Sequence, residues 1–162
     1  NDNAVAMADH IAGSTEKFAE MMNAEAKKLM ATNSHFVNPS GLHDDNHYTT
    51  AYDLYLIFNE CIKHDEFVKI INSSSYTAHI TGADGTKRDV KWEPTNYYAK
   101  GEATPPDNVT IIGGKTGTTK GAGNCLILLT KDSSGNPYIS IIMGAGSKPL
   151  LYQDMTSMLS KI

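Results

Sequence analysis

The chain has 162 residues, 40% hydrophobic and 20% charged, and its eighteen acids against fourteen bases leave a net charge of −4. This length suits one hydrophobic core and a single domain. An acidic balance without a basic stripe of interleaved aromatics excludes a nucleic-acid binder, and no apolar run has the length of a membrane-spanning helix.

The opening "NDNAVAMADHIAG" carries small and apolar residues on nearly every side, which predicts a buried helix ended by Gly13. Ser14 is the expected N-cap of a second helix, with Glu16 in its first turn and a face of Phe18, Met21, Met22, Ala26 and Leu29. Met7, Met21 and Met22 are expected to be core residues. "NSHFVNPSGLHDDNHY" reads as a long polar loop turned by Pro39 and Gly41. Thr49 or Thr50 caps a third helix with the stripe Leu54, Ile57, Phe58, Cys61 and Ile62, and a short fourth follows at about Asp65 to Ile71. Cys61 and Cys125 lie in apolar runs and read as buried thiols, with a disulfide left open.

From Ser75 the period changes. "SYTAHITGADGTKRDVKW" predicts a hairpin turning at Asp84-Gly85. A loop with Asn96 and Pro105-Pro106 leads to three strands, "NVTIIGG", "NCLILLT" and "PYISIIMGA", with "SSGN" as a turn, and "PLLYQDMTSMLSKI" closes the chain as a helix. Residues 1–74 are thus mostly helical and residues 75–162 hold the hairpin, antiparallel strands and closing helix. The class is α+β, an antiparallel sheet flanked by helices.

Chemistry concentrates in "IIGGKTGTTKGAGNC". A phosphate loop requires G-x-x-x-x-G-K-S/T with a helix after it; here Val109 stands where the first glycine belongs, and a strand follows. A carboxylate fits better. Lys115 supplies positive potential, Thr116 and Thr118 supply hydroxyl donors, and Gly117 leaves the backbone open to a peptide-like ligand. On strand periodicity Lys115 and Gly117 share one face and Thr116 takes the other. Taken alone, the triplet reads first as a glycine-rich hairpin with an exposed lysine, because such short patterns recur by chance.

The wider sequence changes that balance. "NDNAVAMADHIAG", "FVNPSGL", "HYTTAYDL", "TN" at 95–96, "GGKTGTT" and "AGNCLILL" together resemble the low-molecular-mass D-alanyl-D-alanine carboxypeptidases, which are penicillin-binding serine peptidases. The resemblance runs along essentially the whole chain. It implies the β-lactamase/D,D-peptidase fold, incomplete at its N-terminus, and a catalytic domain of which residues 1–162 are the C-terminal portion. Its Ser-x-x-Lys nucleophile segment is expected upstream. The family's second signature is Ser-Gly-Asn; Asn1 aligns with its asparagine, and its serine is expected just upstream. By resemblance, Asn1 holds the substrate amide, Lys115 steers substrate and supports proton transfer, Thr116, Gly117 and Thr118 bind substrate, and the Thr118 N–H serves an oxyanion. The implied partners are the peptidoglycan stem peptide ending in D-Ala-D-Ala, β-lactam antibiotics, and either the N-terminal segment or a second copy of the chain. No metal or organic cofactor is implied, and an extracytoplasmic location follows from the substrate class.

Two departures stand out. Many relatives carry an arginine ahead of the closing helix that helps hold the substrate carboxylate. Leu151 aligns there instead, Lys148 is the nearest cation, and Arg88 in the hairpin is the chain's only arginine. A Ser-x-x-Lys does occur at Ser14-Thr15-Glu16-Lys17, but it follows the second signature, so Ser14 is read as an N-cap. His43, Asp44, Asp45 and His47 could form a metal cluster, but the segment reads as a solvated loop whose Asp and Asn side chains close turns. Tyr97 and Tyr98 fit a substrate groove or packing under a loop equally well. Two other readings stay open: a non-catalytic peptidoglycan-binding module of this fold, and a class A β-lactamase.

Overall fold

A computed structural model describes residues 1–162. Four helices come first: α1 (Asp2–Ala12), α2 (Thr15–Lys28), α3 (Ala51–Cys61) and α4 (Asp65–Ile71). Strands β1 (Tyr76–Thr81) and β2 (Lys87–Trp92) form a separate two-stranded hairpin, followed by a single-turn α5 (Tyr97–Lys100). Strands β3 (Val109–Thr119), β4 (Gly123–Asp132) and β5 (Pro137–Ala145) form an antiparallel sheet in that order, and α6 (Lys148–Leu159) closes the chain. The expected α+β architecture is present.

The helix boundaries have local causes. Gly13 ends α1 in the left-handed conformation at φ 80°, where a side chain is disfavoured. Ser14 and Thr50 cap α2 and α3 by accepting the N–H of Lys17 at 3.2 Å and of Asp53 at 3.1 Å. The turn α5 has no counterpart in the sequence reading. Asn96 starts it by accepting the Tyr98 N–H, and Gly101 at φ 73° ends it.

The core lies between the sheet and α6. Val109, Leu126 and Leu128 meet Leu151, Tyr152, Met155 and Leu159, all buried. Alternation along β4 turns Cys125, Ile127 and Leu129 to the other face, where α3 touches β5 and α4 touches β3. The glycine pair before Lys115 permits this layering. A Cβ on Gly113 would stand 2.1 Å from the Ile71 carbonyl oxygen at the end of α4, and one on Gly114 would stand 2.0 Å from that of Ile127. Both glycines are therefore packing requirements.

Three expectations need correction. Met7 and Met21 are exposed and Met22 is only half-buried, because nothing in the described chain covers the outer faces of α1 and α2; Ala8, Ala19 and Ala26 make the buried contacts there. For the same reason α1 is not a buried helix. Cys61 and Cys125 are free thiols, each half-buried rather than fully buried. Burial still pushes the Cys61 thiol above its ordinary range.

Candidate active site

The edge strand β3 borders a cavity of about 500 Å³. Lys115, Thr116, Gly117 and Thr118 all line it, although periodicity puts Thr116 on the opposite face from its neighbours. The reason is topological: β3 pairs only with β4, so a cleft along its open edge is bordered by residues of both faces. Ser40 to Leu42 from the polar loop, Thr95 ahead of α5, and Lys148, Leu151 and Tyr152 from α6 complete much of the wall. Asn1 also reaches the cavity. It occupies the N-cap position of α1, yet its side chain makes no capping bond and remains available to a ligand.

Each triplet residue has a distinct setting. The Lys115 ammonium donates to the Thr116 carbonyl oxygen at 2.5 Å. The Thr116 hydroxyl lies 2.5 Å from that of Thr95, which links β3 to the chain entering α5. The Thr118 hydroxyl donates to Asn124 Oδ1 on β4 at 3.3 Å. Gly117 differs from the glycines before it. A Cβ there would meet nothing within 4 Å, and its φ is not positive, so neither packing nor turn geometry requires a glycine. What the missing side chain leaves is open cavity against bare backbone.

The loop bearing Ser40 to Leu42 is held by polar bonds. Asn38 Oδ1 accepts the N–H groups of Ser40 at 3.2 Å and Gly41 at 2.8 Å. Asn23 grips Phe36 through both its N–H and its carbonyl, at 2.8 and 2.7 Å. Buried Asp53 accepts from the Asn33 N–H and the Ser34 hydroxyl, each at 2.7 Å, and so ties the loop's start to α3. His47 Nδ1 accepts the Val37 N–H at 3.2 Å. Desolvation lowers the His47 pKa, opposed by Asp44 and assisted by His35.

The other candidates fall elsewhere. Ser14 caps α2 and does not line the cavity. His43 lies 3.5 Å from Asp45, whereas His47 turns inward to Val37, and Asp44 closes its turn on the Asn46 N–H. Tyr97 and Tyr98 pack against Tyr152 instead of lining the groove: Tyr97 stacks on it at 4.5 Å, and the Tyr152 hydroxyl accepts the Tyr97 N–H at 2.9 Å. Ser40, Leu42 and Tyr152 are cavity residues that sequence reasoning did not single out. Ser40 and Leu42 lie within the quoted "FVNPSGL", the one signal that pointed to them; Tyr152 gave none.

Comparison with known proteins identifies the family. A family model described as D-alanyl-D-alanine carboxypeptidase matches residues 1–147. The D-alanyl-D-alanine carboxypeptidase DacF of Bacillus subtilis is 31% identical over 164 residues, covering 98% of this chain and 38% of that protein. DacD of Escherichia coli is 34% identical over 149 residues, covering 91% and 34% respectively. The chain therefore spans about a third of the length of these relatives. The crystal structure of a Streptomyces DD-transpeptidase matches with a TM-score of 0.87 at 28% identity, over 98% of this chain and 61% of that one. With its Lys-Thr-Gly strand bordering a cavity and a family model matching residues 1–147, the chain belongs to the D-alanyl-D-alanine carboxypeptidase family.

Proposed function

We propose that the chain is the C-terminal portion of one catalytic domain, in a serine-type carboxypeptidase that removes the terminal D-alanine from peptidoglycan stem peptides and is acylated by penicillins. The observation that carries this reading is the cavity, where Asn1 and the Lys115 to Thr118 strand converge without a packing reason for Gly117. An upstream serine would attack the D-Ala-D-Ala carbonyl, expel D-alanine and form an acyl-enzyme that water hydrolyses. Asn1 orients the substrate amide through its uncommitted side chain. Lys115 supplies positive potential beside the reacting carbonyl, and the Thr116 hydroxyl binds the carboxylate. The Thr116 carbonyl oxygen is open to the Lys115 ammonium, and a strand period of two aims the Thr118 N–H along that same open edge. There it can serve a developing oxyanion. The working place is the outer side of the cytoplasmic membrane, where this substrate class occurs; no helix described is long and apolar enough to cross a membrane.

Labelling with a fluorescent penicillin tests the reading. In the full-length protein, Lys115→Ala should slow acylation roughly a hundredfold, about 2.7 kcal/mol, with little change in melting temperature because Lys115 is exposed. Labelling of the variant at the normal rate would remove Lys115 from the mechanism. Absence of any labelling in the unsubstituted protein would favour the binding-module reading.

A further inference from the structure

We propose that Lys148 is the cation that selects substrates with a free C-terminal carboxylate, an inference that rests on the peptidase reading above. The cavity is lined by two lysines, Lys115 and Lys148, and by no aspartate or glutamate. Within a chain of net charge −4, this wall is cationic. Lys28, Lys63, Lys69, Lys91 and Lys100 each face a glutamate, whereas neither cavity lysine has an acidic partner. Two unpaired positive charges facing one concave site call for an anionic ligand.

The two lysines are placed for different tasks. Lys115 sits within β3, its ammonium on the backbone of Thr116. Lys148 is the first residue of α6, and its ammonium lies 5.9 Å from the centroid of the Tyr97 ring. A cation in the first turn of a helix opposes the helix dipole, which favours acids at that end. This first turn holds no acid to offset it. The face of the Tyr97 ring offsets part of that cost, and the place of Lys148 in the wall of the cavity points to a functional position. One turn on, Leu151 is buried in the core and offers no charge. Thr95 and Thr116 add hydroxyl donors to the same cavity. A carboxylate would thus meet a compact point charge and neutral donors in place of a planar bidentate fork.

The test uses the full-length protein and a diacylated peptide ending in D-Ala-D-Ala, supplied as the free acid and as the C-terminal amide. For the unsubstituted protein, kcat/KM should favour the acid. Lys148→Met should lower that acid-to-amide ratio about tenfold, mainly through KM for the acid, and Lys148→Arg should restore most of it. Lys115→Ala should lower turnover of both substrates. An unchanged ratio in Lys148→Met, or no preference for the acid in the unsubstituted protein, would overturn this inference while the peptidase reading stands. If the unsubstituted protein turned over neither substrate and took up no fluorescent penicillin, both would fall.

Discussion

The sheet with α6 and the four leading helices are held together by different physics. Beneath α6 the contacts are apolar and closed to water: Leu128, Met155 and Leu159 are 0% exposed. In α1 to α4 the buried residues are mainly alanines, whereas Met7 is 62% exposed, Ile11 52% and Met21 51%. What fixes the leading helices to their loop is a set of directed bonds from Asn23, Asp53, Ser34 and His47. The half that carries the triplet strand owes its order to area removed from water. The half that positions Ser40 to Leu42 owes it to particular hydrogen-bond partners, and single polar substitutions should disturb it most.

Substitutions of apolar residues offer the largest test of that difference. Met155→Ala should cost about 2–5 kcal/mol by leaving a cavity in a closed core. Met21→Ala should stay within about 0.5 kcal/mol, as for an exposed residue. Denaturant unfolding at a concentration low enough to keep the chain monomeric measures both, and similar losses would erase the distinction between halves. The same exposed faces, with the unpaired edge of β5, should make this chain self-associate as concentration rises, which light scattering would detect.

A polar substitution sharpens the contrast from the other side. Asp53→Ala strands the Asn33 N–H and leaves the Ser34 hydroxyl only its Thr49 partner, and should cost about 1–3 kcal/mol. Faster amide exchange should be confined to the loop and α3. A loss spread evenly over the sheet would contradict a separately held helical half.

Neighbouring threonines allow a finer comparison within β3. Thr116→Val removes a hydroxyl facing Thr95 and the cavity, so peptide turnover by the full-length protein should fall about tenfold. Thr118→Val should cost less, since that hydroxyl bonds to Asn124 and the proposed contribution of Thr118 is its backbone N–H. Equal losses would show that both hydroxyls touch substrate.

The smallest effect expected is a pH response confined to the loop. His47 has its pKa lowered in the fold by desolvation, so the unfolded chain binds the proton more readily. Its contribution to stability is present above the unfolded value of about 6.5 and is lost as pH falls below it toward the lower folded value. Protonation also removes the acceptor of the Val37 N–H. As pH falls through that window the protection of the Val37 amide, measured against its intrinsic exchange rate, should decrease, and His47→Asn should flatten the response.

Where pattern and local chemistry agree, the sequence was readable to the residue. Helix α4 at Asp65–Ile71 and strand β5 at Pro137–Ala145 lie where periodicity and turn signals put them. The turn α5 was not legible, because four residues carry no helical period and Asn96 and Gly101 define it by conformation. The exposure of Met7 and Met21 was missed for another reason: periodicity locates an apolar face but not what covers it. In the site, the triplet and Asn1 were visible as motif residues. Tyr152 was not, since it reaches the cavity only because α6 folds back across the sheet.

The glycine pair ahead of Lys115 has a mechanical consequence. At Gly113 the end of α4 and strand β3 meet main chain to main chain, with no side chain between them to change rotamer and absorb a displacement. The contact is stiff, because close-packed interiors compress little and pass strain onward. A displacement of the triplet strand is therefore passed toward Ile71 with no side-chain rotamer change to take it up. The helical half, for all its open faces, acts as an abutment that keeps the strand's position along the cavity fixed under load.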